Sequence, residues 1–139
     1  MTNPYDLHRF ETAQDGIYES ALAELRAGRK TGHWMWFVFP QIAGLGMSAM
    51  SQRFAIASLA EARAYLEHPV LGPRLAECAR ALTAQSGRTA QEIFGGIDAV
   101  KLRSSMTLFA RAAAGDSVYQ EVLDRYFGGA ADEQTAARI

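Results

Sequence analysis

Apolar side chains recur every three to four residues along nearly the whole chain, which is the spacing of amphipathic α-helices. Spacing and capping residues together predict helices over the following stretches: from the Asn3-Pro4 start to Gln14, 17–28, 48–57, 58–67, 69–84, a short turn between Thr89 and Gly95, 97–114, 117–127 and a final turn from Asp132. No run of β-branched residues alternates with polar ones, so no strand is predicted. The pattern therefore predicts an all-α protein.

One stretch, His33–Gln41, breaks this pattern, and we call it the aromatic segment. Its central part, 34–39, is apolar on every side and holds both tryptophans, which indicates passage through the core. The composition would suit a buried strand, but helical neighbours leave a strand nothing to pair with. The sequence therefore predicts either a short, fully buried helix or an extended crossing segment.

Length and composition indicate one domain, spanning residues 1–139, with a single core: 49% of its 139 residues are hydrophobic. A formal charge of −1 disfavours nucleic acid and anionic membranes as partners, and no apolar run is long enough to span a bilayer. The lone Cys78 and three scattered histidines fit neither a disulfide nor a metal site. Without a visible secretory signal, we expect a cytoplasmic protein with no metal and no cofactor, and Cys78 as a buried structural thiol.

The charges are distributed unevenly. No Asp or Glu occurs between Leu25 and Ala60 or between Ala99 and Gly115, although both stretches carry cations. If the two stretches meet in space, they form an electropositive cleft. Lys30 and Lys101 are the lysines among fourteen Lys and Arg residues, and a lysine in an arginine-biased chain hints at a specific requirement.

Asp98, Lys101 and Ser105 follow one another at spacings of three and four residues, so they share one face of a helix. Ser104 lies beside them, and paired serines are poor residues for a helix interior. Two interpretations of the paired serines remain open. Their small side chains let two helices approach closely, or their hydroxyl groups line a site.

The blocks "PYDLHRF", "HWMWFVFPQ" and "KLRSSMTLF", in this order, resemble the bacterial family called domain of unknown function 1810, and the resemblance covers nearly the whole chain. It implies a compact multihelical fold with a short buried central helix, and it implies no activity.

A more distant resemblance, in the order of an aromatic block, "EARAYLEHPVLGPRL" and a later helix, is to the NADAR family of all-α N-glycosidases. It implies substrates of ADP-ribose or phosphoribosyl type, with Asp98 and Lys101 at that family's acidic and basic positions. The acidic residue of that family's aromatic block has no counterpart here, and His33 stands near its place.

We therefore expect a pocket where the aromatic segment meets the helix of Lys101, for a small anionic ligand of nucleotide or ADP-ribose type. Whether the chain also hydrolyses that ligand, as an N-glycosidase-like enzyme, is left open, and so is a homodimer. The predicted site comprises the catalytic candidates His33, Asp98 and Lys101 and the ligand-binding candidates Trp34, Trp36, Gln41, Arg53, Ser104 and Ser105.

In this interpretation the tryptophans supply walls, Lys101 and Arg53 supply charge, and Gln41 and Ser105 hold the titrating residue, His33 or Asp98. The alternative is a non-catalytic structural or protein-interaction module in which the same residues form a buried polar network. An open cleft favours the first interpretation, and complete burial with mutual hydrogen bonds favours the second.

Overall fold

The computed structural model describes residues 5–139, and within them the chain forms ten helices. Their bounds are α1 His8–Gln14, α2 Tyr18–Ala27, α3 Met35–Val38, α4 Ala49–Arg53, α5 Leu59–Glu67, α6 Leu71–Thr83, α7 Ala90–Phe94, α8 Gly96–Ala113, α9 Val118–Phe127 and α10 Glu133–Arg138. Across the described residues the β-type pairing is limited to one isolated parallel bridge, between Ile42 and Ile56. The all-α prediction is confirmed. None of the described helices combines the length and apolarity that a membrane crossing needs.

Side-chain caps explain where several helices begin. The residues whose side-chain oxygens accept a backbone N–H in the first turn are Ser48, Ser58, Thr89, Ser117 and Asp132. At Thr89 the reciprocal bond from Glu92 completes a capping box. The predicted start at Asn3-Pro4 lies outside the described residues, in which α1 begins at His8.

The helix predicted over 48–57 is shorter than expected, because α4 ends at Arg53. Beyond it, the Ile56 N–H donates to the Gln41 carbonyl at 2.8 Å, and the Ile56 carbonyl accepts from the Ala43 N–H at 2.8 Å. These bonds replace the helical ones that residues 54–57 would otherwise make. The bridge fixes the chain at the end of the aromatic segment.

The aromatic segment contains the short buried central helix, α3, which has four residues. Trp34 and Phe39, on either side of it, are 1% and 0% exposed. Trp36 differs from them, since it is only partly buried and packs at the edge of the core. The short-helix prediction is therefore confirmed, and one of the two indole rings reaches the surface.

The longest helix, α8, organises the rest of the fold by packing against α5, α7, α9 and α10. Half of its eighteen residues are buried, and they include Ser104 and Ser105. Its first two turns leave Asp98 and Lys101 half-buried at the surface. Packing along its length therefore fixes α8, and the helix holds Asp98 and Lys101 at its N-terminal end.

Candidate functional site

Lys30 is held by both its backbone and its side chain. Its N–H donates to the Ile93 carbonyl at 2.8 Å, and its ammonium group donates to the Gly32 carbonyl. Nζ lies 2.9 Å from Asp98 Oδ2 and 5.0 Å from the centre of the Trp34 ring, with only 8% of the side chain exposed. A nearly buried ammonium requires such partners, because desolvation without them is costly.

Glu24 fixes the loop that leads into the aromatic segment. Its Oε1 accepts from the N–H groups of Thr31 at 2.6 Å and Gly32 at 2.8 Å, and from the Trp34 indole at 3.1 Å. Burial acts to raise the pKa of Glu24, but these hydrogen bonds outweigh it and hold the pKa below its ordinary value. The carboxylate therefore positions Lys30 and His33 by ordering the backbone between them.

Asp98 also contacts the second lysine. Lys101 Nζ lies 3.6 Å from Asp98 Oδ1 and 5.0 Å from the centre of the Trp36 ring. The indole N–H of Trp36 is buried and has no hydrogen-bond partner among the described residues. Both lysines of the chain thus meet on one carboxylate, and each lies over a different tryptophan.

Two adjoining depressions flank this cluster. The first, which we call the lysine cleft, has a volume of about 370 Å³ and lies between the loop after the aromatic segment, α8 and the start of α10; its polar walls come from Gln41, Ser51, Lys101, Ser104, Asp132 and Gln134. The second, the Trp36 pocket, has a volume of about 360 Å³ and includes Lys30, His33, Trp36 and Asp98. Ile97 lines both, so the two depressions share a wall.

Apolar side chains are unusually exposed on that wall. Ile97 and Val100, both on α8, are 77% and 61% exposed. Val100 directly precedes Lys101 in the sequence, Ile97 lies one helical turn before it, and both line the lysine cleft with it. The lysine cleft thus has an apolar wall beside its polar groups, a combination that is common in small-molecule sites.

The structure brings most of the predicted site residues to these two depressions. His33, Trp36 and Asp98 line the Trp36 pocket, and Gln41, Lys101 and Ser104 line the lysine cleft. His33 is exposed, and the Ser104 hydroxyl donates to the Val100 carbonyl at 3.2 Å.

Three predicted residues lie elsewhere, which corrects the roles assigned to them. Trp34 is buried in the core and lines neither depression, because its indole is bound to Glu24. Ser105 is fully buried, and its hydroxyl has no partner within residues 5–139. Arg53 is exposed on α4, with its guanidinium 5.2 Å from the centre of the Phe54 ring.

The predicted holders of the titrating residue are also different. Among the described side chains, neither Gln41 nor Ser105 hydrogen-bonds to His33 or Asp98. Asp98 is held by the two lysines instead. Lys30 was not among the predicted site residues. The sequence signal that could have indicated it is that it is one of two lysines in a chain whose other cations are arginines.

The two acid-free stretches do meet, since Gln41 and Leu45 face Lys101 and Ser104 across the lysine cleft. The cleft is nevertheless of mixed charge, because Asp132 lines it as well. Asp132 Oδ2 accepts from the Thr135 N–H at 2.9 Å and from its hydroxyl at 2.6 Å, so this carboxylate is engaged in capping α10. The sequence pattern placed Asp132 at the start of a helical turn, and nothing in it pointed to a position in the cleft.

No cluster of three or more His, Cys, Asp or Glu side chains suited to a metal ion occurs in the part of the chain that the structure describes. Cys78 is fully buried, as predicted, and burial raises the pKa of its thiol to about 12.

Comparison with known proteins agrees with this architecture. The solved structure of the conserved hypothetical protein Rv1873 from Mycobacterium tuberculosis is similar over 97% of this chain and 96% of that chain, with 53% sequence identity and a TM-score of 0.95. A search of curated proteins finds no match. The family profile described as "Protein of unknown function (DUF1810)" matches residues 4–139. The chain therefore belongs to the DUF1810 family.

Proposed function

We propose that this protein binds a small anionic ligand of nucleotide or ADP-ribose type in the lysine cleft and the adjoining Trp36 pocket. The observation that carries the proposal is that Lys30 and Lys101 share the single carboxylate of Asp98. Among the described residues Asp98 is the carboxylate that pairs with these two ammonium groups, so the three paired side chains together carry one excess positive charge in a partly desolvated place. An anionic ligand supplies the missing counter-charge.

Lys30 and Lys101 differ in their distance to Asp98 and in their exposure, so we assign them different roles. Lys30 is the closer partner of Asp98, at 2.9 Å against 3.6 Å, and its side chain is 8% exposed against 22% for Lys101. Lys101 also lines the lysine cleft, whereas Lys30 does not. Lys101 can therefore turn to an incoming anion while Lys30 keeps Asp98 paired, so that no half-buried carboxylate is left uncompensated.

The walls of the cleft suit the uncharged part of such a ligand. Ile97 and Val100 offer apolar surface, and the partly exposed ring of Trp36 offers a face for stacking. The distant resemblance to the NADAR family supports the ADP-ribose type in particular, through the matching positions of Asp98 and Lys101.

Hydrolysis of the bound ligand is the catalytic extension of this proposal. When Lys101 turns to the ligand, Asp98 Oδ1 becomes free to accept a proton from a water molecule in the Trp36 pocket. That water adds to the anomeric carbon of the ligand as the N-glycosidic bond breaks, and the released base takes up a proton from solvent. His33 lines the same pocket and is the second candidate for accepting the proton of the water.

The alternative interpretation is a non-catalytic interaction module with a buried polar network. Such a network requires burial and mutual hydrogen bonds. His33 is exposed, and the side-chain amide of Gln41 has no partner among the described residues. These observations support an open site over a buried network.

A thermal-shift titration tests the proposal with ADP-ribose, ADP and ribose 5-phosphate as probes and with uncharged adenosine as the comparison. A bound anion at one hundred times its Kd stabilises the native state by about 2.7 kcal/mol. In Lys101→Met the stabilisation by the anionic probes is expected to disappear, while the stability of the free protein is held or improved, because the substitution removes the excess positive charge. Arg80→Gln, which removes an exposed cation from α6, is the matched control and keeps the full shift.

Asp132→Asn sharpens the test, because Asn still caps α10 but removes the negative charge from the cleft. We expect this variant to bind the anionic probes more tightly than the wild type. Absence of any shift with all three anionic probes, or an unchanged shift in Lys101→Met, contradicts the proposal. Chromatography of the incubated probes for a released base or ribose product tests the hydrolytic extension separately.

A further inference from the structure

A separate cleft lies between α5, α8 and α9, with a volume of about 480 Å³. We call it the arginine cleft, because Arg63 of α5 and Arg111 of α8 both line it. None of its lining residues is acidic, and it shares none of them with the lysine cleft. Two cations therefore converge on one concave surface without a carboxylate between them.

Neither guanidinium group of the arginine cleft has a partner in the part of the chain that the structure describes. Within residues 5–139, neither Arg63 nor Arg111 makes a hydrogen bond or an ion pair. Most arginines of the fold are used structurally: Arg103, for example, donates to the Ala130 carbonyl at 2.9 Å and the Ala131 carbonyl at 3.1 Å, and Arg138 donates to the Gly44 carbonyl at 3.2 Å. The donors of Arg63 and Arg111 thus remain available to a ligand.

The other polar groups of the arginine cleft are already engaged. The Thr107 hydroxyl donates to the Arg103 carbonyl at 2.8 Å and accepts from the Asp132 N–H at 2.8 Å. The Gln120 side-chain amide donates to Asp124 Oδ1 at 3.0 Å. The floor of the cleft is therefore fixed, and the guanidinium donors are the groups left to select an occupant.

A planar guanidinium donates two parallel hydrogen bonds to an oxyanion, and phosphate offers oxygens in the matching geometry. Two such groups facing one cavity satisfy a doubly charged phosphate better than a singly charged carboxylate. From this geometry we infer that the arginine cleft binds the phosphate group of a small phosphorylated molecule. The site is independent of the proposed function of the lysine cleft.

Isothermal titration with inorganic pyrophosphate, at low and at physiological ionic strength, tests this inference. We expect saturable binding to the wild type that weakens with salt. Arg63→Gln and Arg111→Gln each remove one bidentate donor, and each is expected to weaken binding at least about tenfold. Because both residues are exposed, the variants should keep the wild-type circular dichroism spectrum and urea midpoint.

Two controls locate the site. Arg29→Gln and Arg80→Gln each remove an exposed cation outside both clefts, and both variants should bind pyrophosphate as the wild type does. No saturable binding, or equal affinity in the Arg63→Gln and Arg111→Gln variants, overturns the inference. Loss of binding in Lys101→Met alone also overturns it, because pyrophosphate then occupies the other cleft.

Discussion

Trp34 and Trp36 stand two residues apart in one apolar run and have different surroundings. The Trp34 ring packs between Phe39 and Phe94, with ring centres 6.3 and 6.5 Å away, and its N–H is bound to Glu24. The Trp36 ring lies at the edge of the core beside Lys101, and its N–H has no hydrogen-bond partner within residues 5–139. Trp34 therefore stabilises the core, whereas Trp36 forms part of the surface of the candidate site.

This difference predicts unequal costs of truncation. Trp34→Ala is expected to lower the free energy of unfolding by about 3–5 kcal/mol, as for a fully buried large side chain. Trp36→Ala should cost about 1–2 kcal/mol, because part of its ring is already in water. Urea denaturation followed by circular dichroism measures both free energies of unfolding. Equal losses in the two variants would contradict the difference in burial between the two rings.

The helices α5 and α6 approach each other closely at Gly72. A Cβ built there would lie 2.1 Å from the Leu66 carbonyl oxygen, a distance that no packed methyl group tolerates. Gly96, the first residue of α8, has nothing within 4 Å of the same position. The pair provides a matched test of helix packing.

Gly72→Ala is expected to destabilise the protein by about 1–3 kcal/mol or more, because backbone and not a flexible side chain must move. Gly96→Ala should be neutral or stabilising by up to about 1 kcal/mol, since alanine lowers the entropy of the unfolded chain. Urea midpoints of the two variants give the comparison. A harmless Gly72→Ala would mean that α5 and α6 lie farther apart than described.

Local signals in the sequence are sufficient to predict most of these helices. The caps Thr89 and Ser117 and the apolar spacing of α8 act within a few residues, so the sequence alone predicts them. The end of α4 depends on bonds between Ile56 and residues 41–43, which no local window contains.

The distinction between local and long-range contacts also explains which residues of the candidate site the sequence predicts. Helical spacing groups Asp98 with Lys101, and the structure gives them the contact that this spacing predicts. Lys30 reaches Asp98 from more than sixty residues away, and Asp132 arrives through the packing of α10 on α8. Contacts of that kind are set by the tertiary fold, so the sequence pattern could not place these two side chains.

Across the whole molecule, the core holds several ionisable groups in their neutral form. Burial raises the pKa of Cys78 and that of Tyr119, each to about 12, from ordinary values of 9.0 and 10.0. Burial likewise raises the pKa of Tyr65, well above its ordinary value. These groups resist ionisation only while the protein is folded, which links the stability of the whole molecule to alkaline pH.

The sign of this linkage follows from proton binding. Above about pH 9 the unfolded chain releases protons that the native state retains, so stability is full below pH 9 and falls as the pH rises towards 12. Each ionising group contributes a slope of about 1.4 kcal/mol per pH unit. Urea midpoints at pH 8, 9, 10 and 11, values chosen to span the ordinary range of these groups, should change little between pH 8 and pH 9 and then decrease up to pH 11, less steeply in Cys78→Ala. A flat profile would contradict the burial of these groups.

The pairing of both lysines with Asp98 has a practical consequence for spectroscopy. Amine-directed reagents modify many surface sites in most proteins, but here the side-chain amines are confined to Lys30 and Lys101. Reductive methylation with ¹³C-formaldehyde keeps the positive charge of each amine, and it should label Lys101 before the more deeply buried Lys30. The resulting ¹³C-methyl resonance would report directly on the occupancy of the lysine cleft, without a mutation and whatever the chemical identity of the ligand.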